Sequence, residues 1–283
     1  MEAKGKRKAI YIIISAVFGI YALSLIFPFA YTLLNSFKTS GEFGDFPMAW
    51  PKRLLDQNDL FRNYRFALSS ESGLVGMFIN SAIITGVGTV TAALSPAIVA
   101  YVLSKYRFRL NTPIFTLAVI FMVVPNVGTA VSAYVLYVKL GFLNTYHGMF
   151  IQYAGPFGGF FFLLYGYFKG ISWSYAEAAR IDGAGNFGIF FRIMIPQALP
   201  GLSIVALLSG IGIWNDYYTA WLFMPNGKTI ATGIQNMSTR AITTDAYPQL
   251  FAAMILSLIP VLLVFALLQK QLINNTMAGG LKG

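Results

Sequence analysis

Cysteine is absent from the 283 residues, histidine occurs once, and only 11% of the chain is charged. Without a thiol there is no disulfide framework and no thiolate metal site. The one histidine, His147, has no His, Cys or acidic neighbour at metal-ligand spacing. It falls in a short polar connection, Asn144-Thr-Tyr-His147, which places it at solvent or at an interface. No catalytic constellation and no metal set can be read from the chain, and it is not expected to be an enzyme. A phosphate loop of the form G-x-x-x-x-G-K-[ST] is also missing. Gly183-Ala-Gly185-Asn-Phe-Gly188 fits a bare G-x-G-x-x-G, but no strand pattern precedes it and apolar runs flank it. It is discounted as a nucleotide site. There is no convincing internal repeat, low-complexity tract or linker, so residues 1–283 are expected to form one domain.

What fills the chain instead is apolar: 57% of residues are hydrophobic and the mean hydropathy is +0.64. Soluble chains carry about 25% charge, so the composition indicates a multi-span membrane protein. The net charge of +10 does not point to nucleic acid, because the cations are spread along the flanks of apolar runs rather than gathered in a patch. Membrane-flanking cations set orientation.

A basic leader, residues 1–8, precedes an uncharged run from Ala9 to Phe37. That run exceeds the apolar core of about 7–15 residues in a signal peptide, so it reads as an uncleaved first span. Lys38 to Gly73 is polar, with charges of both signs, and reads as an external segment of short interfacial helices. Further spans are expected over Met77–Ser104, Thr112–Val138, Leu143–Phe168, Pro196–Phe223 and Leu250–Leu268. Two of them carry breakers in mid-course, Pro125-Asn126-Val-Gly128 and Gly155-Pro156-Phe-Gly158-Gly159. In lipid such breaks must pack against protein. The fold class expected is all-α and polytopic, with about six spans of roughly 20 residues. Cations concentrate at Lys4 to Lys8, Lys105, Arg107, Arg109, Lys169, Arg180, Arg192, Lys270 and Lys282, with few acids beside them. This bias puts both termini and the connection 169–196 in the cytoplasm.

That connection contains a small-residue, partly charged island, Ser174-Tyr-Ala-Glu177-Ala178-Ala179-Arg180-Ile-Asp182-Gly183-Ala-Gly185, leading to Ile193-Met-Ile195-Pro196. Ser174-x-x-Glu177 fits a capping box, Glu177 and Arg180 are spaced to pair, and Gly183 and Gly185 are placed to stop or bend a short helix. Glu177-Ala178-Ala179, three residues, Gly183, nine residues, Ile193, one residue and Pro196 resembles the EAA loop of ABC-importer permease subunits. Ile195 stands where the family pattern has leucine. Arg180-Ile-Asp182-Gly183-Ala184 resembles the carbohydrate-uptake, maltose-type branch.

The resemblance implies a type I importer in which this chain forms half of a translocation pathway in a bacterial or archaeal plasma membrane. The expected cargo is a carbohydrate, an oligosaccharide above all. Implied partners are a second homologous permease, two ATP-binding subunits that carry ATP and magnesium, and an extracellular or periplasmic solute-binding protein. No cofactor is expected on this chain. Glu177, Ala178, Ala179, Arg180, Asp182 and Gly183 would dock to the ATPase. The ending Met277-Ala-Gly279-Gly280-Leu-Lys282-Gly283 resembles the maltose-type tail, in which Gly280 and Lys282 would reach the ATPase interface; a frayed end is the alternative. The segment from Thr229 to Asp245 could reach the binding protein.

Asp216, in Trp214-Asn215-Asp216-Tyr217, is an acid within an apolar run; Trp214, Asn215, Asp216 and Tyr217, with Asn80, are candidates for the substrate pathway. The alternatives are an aromatic belt for Trp214 and Tyr217 and interhelical hydrogen bonding for Asn80. The EAA pattern alone also allows a polyamine or peptide importer. A stand-alone secondary transporter would call for paired intramembrane charges and a repeat.

Overall fold

A computed structural model describes residues 2–52, 59–69, 72–124 and 128–280, and within them the side chains from 11 to 267. Every regular element among the described residues is helical. In order these are α1 (Glu2–Asn35), α2 (Ser40–Asp45), α3 (Arg62–Leu68), α4 (Leu74–Lys105), α5 (Asn111–Val123), α6 (Thr129–Leu140), α7 (Tyr146–Tyr153) and α8 (Gly159–Gly170). There follow α9 (Ser174–Ile181), α10 (Asn186–Ile189), a π-helical turn (Phe190–Met194), α11 (Ile195–Gln197), α12 (Leu199–Asn215), α13 (Tyr217–Phe223), α14 (Ile230–Thr244) and α15 (Tyr247–Gly280).

Of the six expected spans, three are, among the described residues, single helices long and apolar enough to cross a membrane, within α1, α4 and α15. The others are broken. At a rise of 1.5 Å per residue, helices of 8 to 13 residues reach only about 12–20 Å, short of the ~30 Å hydrocarbon core. α5 stops at Val123 and α6 restarts after Gly128, whose φ is +82°. Residues 125–127, which hold the expected proline break, lie outside the described residues. α7 and α8 are separated at Gly155-Pro156, and Gly158 (φ +124°) starts the second half. Free carbonyls at the end of α7 accept from hydroxyls of α4: Ser95 Oγ donates to Ala154 O at 2.7 Å and Thr91 Oγ1 to Phe150 O at 3.3 Å. This supplies internally what lipid cannot.

The expected span from Pro196 to Phe223 needs correction. Its continuous helix is α12 alone, bent by 78° from the stretch Asn186–Gln197 and ended by a second break at Asp216. Pro196 has no N–H to give to Arg192 and its ring crowds that carbonyl, so the chain widens into the π turn ahead of it.

Contacts divide the chain into two units. The smaller comprises residues 1–75 and 234–262. There Lys38, expected on a solvated segment, is instead fully buried: its Nζ donates to the carbonyls of Phe46 (2.8 Å) and Pro47 (3.0 Å). Asn63 Nδ2 donates to Ser36 O and Lys38 O, and Tyr31, Phe43, Tyr247 and Phe251 form an aromatic group in the same unit. The larger unit, residues 76–233 and 263–283, holds the principal core, in which Phe161, Leu164, Phe168, Ile189, Met194 and Val205 are fully buried.

Candidate functional site

Most of the residues singled out by the sequence fall in three places in the larger unit. The first is the island at 174–188. Its helix α9 forms as expected, but Ser174 is not its cap: Trp173 is the N-cap residue, and the Ser174 hydroxyl pairs with Ser172 Oγ at 2.7 Å. The capping box is therefore not made. Glu177 and Arg180 do not form an ion pair either; Arg180 lies over the Trp173 ring, Cζ 5.1 Å from its centroid, and reaches Asn186 Oδ1 at 3.4 Å. At an exposed site a guanidinium over an aromatic ring gains about as much as a solvent-exposed ion pair, so giving up the pair with Glu177 costs little.

The C-terminal stop is as read. Gly183 has φ +82°; its N–H donates to Arg180 O and the Ala184 N–H to Ala179 O, at 3.0 and 2.8 Å. These two bonds make a Schellman closure. Gly185 does something different, standing in extended conformation as the N-cap of α10. Ala176 and Ala179 face the chain's own core, and Ala179 is only 8% exposed. Both alanines help to seat α9 on that core. Glu177, Ala178, Asp182 and Gly183 are exposed, and so are two large apolar side chains, Ile181 at 87% and Phe187 at 83%. Around the island stand the cationic turn after α4 and the end of α8: Lys105 Nζ donates to Ile171 O, and Tyr106 meets Trp173 edge-on at 5.5 Å.

The second place is where broken helices meet. Asp216 separates α12 from α13 and caps the latter, its Oδ1 accepting from the Thr219 N–H at 2.9 Å. Its Oδ2 accepts from Tyr153 Oη, at the end of α7, at 3.1 Å. Gly88 of α4 allows this approach, since a β-carbon there would stand 3.2 Å from both Tyr153 and Ile213. Asn215 turns back to Ile211 O, Trp214 packs against Phe78 at 6.2 Å, and Tyr217 is exposed. Asn80 lies in a separate polar group: it accepts from Tyr146 Oη at 2.6 Å and donates to Lys228 O at 3.0 Å. Beside it Ser81 Oγ accepts from Ile230 N at 2.8 Å, and Asn144 Oδ1 accepts from Asn226 N at 2.9 Å. The segment from Thr229 to Asp245 is therefore no free loop; most of it is α14.

Tyr153, Trp173 and Tyr106 were not singled out by the sequence. Their aromatic character is common in this chain, and only their three-dimensional neighbours distinguish them. Gly280 ends α15 and Lys282 lies outside the described residues. His147 is exposed, as expected, with its ring edge-on to Phe142 at 5.4 Å. Among the described residues no group of His, Cys, Asp and Glu could hold a metal ion.

Residues 92–276 match the family described as binding-protein-dependent transport system inner membrane component. The chain is 29% identical to the diacetylchitobiose uptake system permease protein of Streptomyces coelicolor, over 93% of this chain and 86% of that protein. It is 29% identical to the melibiose/raffinose/stachyose import permease protein of Bacillus subtilis, over 96% of each. With the maltose/maltodextrin transport system permease protein of Vibrio vulnificus it shares 32% identity over 72% of this chain and 71% of that one. Its fold superposes on a chain from a bacterial ABC transporter that imports the acidic polysaccharide alginate, with a TM-score of 0.75 and 25% identity, covering 93% and 96% of the two chains. Taken with the helical membrane fold and the closed helix at 174–183, these likenesses decide the matter: the chain belongs to the inner-membrane components of binding-protein-dependent transport systems, the permease subunits of ABC importers.

Proposed function

We propose that this chain is one of two permease subunits of an ATP-driven carbohydrate importer, with an oligosaccharide as its cargo. As a member of its family it is a transport component and not an enzyme. A second permease, two ATP-binding subunits carrying ATP and magnesium, and a solute-binding protein complete the assembly. The observation that carries the coupling role is α9. The helix is seated on the core by Ala176 and Ala179 and closed at Gly183, and it presents Glu177, Ala178, Ile181 and Asp182 outward, with Phe187 just beyond. Exposed apolar side chains among polar ones at a membrane protein's charged end mark a protein contact. The sugar class is supported by relatives named for oligosaccharide uptake.

In this reading α9 and both termini face the cytoplasm, and closure of the ATPase dimer rocks the membrane helices between inward-open and outward-open states. Asp216 and Tyr153 hold the junction of α7 with α12 and α13, a discontinuous-helix setting of the kind that lines transport sites. The test is purification of the chain in mild detergent from its host, with identification of what remains bound. An ATPase and a second permease, with hydrolysis stimulated by a sugar-loaded binding protein, are the expected result. Recovery of the chain alone, with ion-driven transport after reconstitution, would contradict the proposal.

A further inference from the structure

A continuous run of aromatic contacts leads from α9 into the membrane helices. Arg180 lies on Trp173; Trp173 meets Tyr106 edge-on at 5.5 Å; Tyr106 meets Tyr101 edge-on at 5.6 Å, with the two hydroxyls 3.1 Å apart. Tyr101, near the end of α4, then packs on Phe168 of α8 at 5.6 Å and on Phe190 of the π turn at 4.9 Å. The path begins at a solvent-exposed cation and ends in the buried core, where Phe168 has no exposed surface. It is braced along its length. Lys105 donates to Ile171 O, and Asn111 Nδ2 donates to Leu103 O and Tyr106 O at 3.0 and 2.8 Å, holding the turn that carries Tyr106.

The choice of Arg180 fits this geometry. Among the described residues it has no carboxylate partner, since their one ion pair joins Arg65 to Asp59. A guanidinium can lie flat on an indole while its edge bonds an amide, which an ammonium cannot do. The helix itself has two turns of backbone and two buried alanines to hold it, a small contact for an element that would carry mechanical load.

Resting on the reading of α9 as the ATPase-facing element, we propose that Arg180 is a positioning residue for energy coupling. Seated on Trp173, it locks α9 through Tyr106 and Tyr101 to the ends of α4 and α8 and to the π turn. A displacement imposed on α9 is then passed to these elements as one body instead of being absorbed in the connections at 171–173 and 182–185.

The experiment uses the complete importer in proteoliposomes, measuring sugar uptake and ATP hydrolysis together. Arg180→Lys keeps the charge and loses the planar guanidinium; Trp173→Leu keeps bulk and loses the ring; Trp173→Phe keeps a ring. Trp173→Leu should assemble and hydrolyse ATP as wild type does while uptake per ATP falls about tenfold, within the range reported for substitutions along coupling networks, and Arg180→Lys should lower uptake per ATP to a similar extent. Trp173→Phe should restore most of it. Because the chain has no native cysteine, a Tyr106→Cys, Trp173→Cys pair can also be bridged by a short bifunctional thiol reagent. The bridged protein should regain coupling that the unbridged one lacks.

Unchanged uptake per ATP in Arg180→Lys and Trp173→Leu would overturn the proposal. Loss of the ATPase from the complex would overturn it too, by making Arg180 a docking contact. A wild-type complex that hydrolyses no ATP would instead sink the underlying importer reading and the proposal with it.

Discussion

At Gly183 the backbone φ is +82°, while a β-carbon there would meet no atom within 4 Å. The constraint is thus conformational within this chain, and a substituted residue adopts the left-handed region at a cost of about 1–2 kcal/mol. Gly183→Val should leave membrane insertion intact and abolish most sugar uptake, because both the closure of α9 and the flat docking surface are lost; unchanged uptake would count against the docking role. Asp216 can be separated into two roles. Asp216→Ala loses a helix cap worth about 1 kcal/mol together with the bond from Tyr153, and should lower the melting temperature in detergent. Asp216→Asn keeps the acceptor oxygen that serves Thr219 and should melt nearly as wild type does. If it nonetheless fails to transport, the carboxylate serves the pathway; full transport would leave Asp216 a structural cap. Lys38 supplies a pH-dependent prediction. Desolvation lowers its pKa from the ordinary 10.5, against a weaker opposing pull from Glu42. The unfolded chain then holds this proton more tightly, so stability rises with pH from the folded-state value up to 10.5. Wild type should gain thermal stability across that interval and Lys38→Met should not; equal slopes would remove Lys38 as the cause.

Among the elements, the broken spans divide into those legible in the sequence and those that were not. Gly155-Pro156 announces its break, because proline and glycine have local conformational requirements that no neighbour can overrule. The break at Asp216 was not legible: aspartate at that point reads equally as a pathway acid, and its capping of α13 depends on Thr219 and Tyr153 arriving there. The bend after Gln197 was missed for a related reason, since Pro196 and Pro200 are both compatible with the first turn of a helix. In the island the stop at Gly183 was readable from residue type, whereas the start was not. Ser174 and Glu177 had the right spacing for a capping box, but the helix begins one residue early and Arg180 prefers the Trp173 ring. α8 and α12 offer a test of packing. A β-carbon at Gly201 would lie 2.5 Å from the Tyr167 ring, so Gly201→Val should reduce the folded yield in detergent through overpacking of about 1–3 kcal/mol. Adding Tyr167→Ala should recover part of it; a double variant no better than the single would show that the close approach is not the cause.

On the scale of the whole molecule, the larger unit has two polar ends of different character. One holds Arg180 on α9, with the turn after α4 packed beside it through Lys105 and Tyr106; the other gathers Asn80, Asn144, Asn226 and Thr229 at the start of α14. The charge rule assigns the flanking cations to the cytoplasm, and the proposed docking of an ATPase on α9 agrees with that assignment. Composition made the membrane class plain, and the spaced EAA pattern made the family plain, because both are properties of the chain read in order. Which side chains of α9 face outward was not readable, for the helix is short and its inner face is set by the core it meets. In the proposed importer this outer face is held by a separate ATPase. The most direct measurement places single cysteines in the cysteine-free chain, at Asp182→Cys, Phe187→Cys and Asn226→Cys, and cross-links each in native membranes. An adduct with a subunit bearing an ATP-binding phosphate loop is expected from positions 182 and 187 and none from 226. No such adduct from 182 or 187, or one from 226 instead, would contradict the proposal.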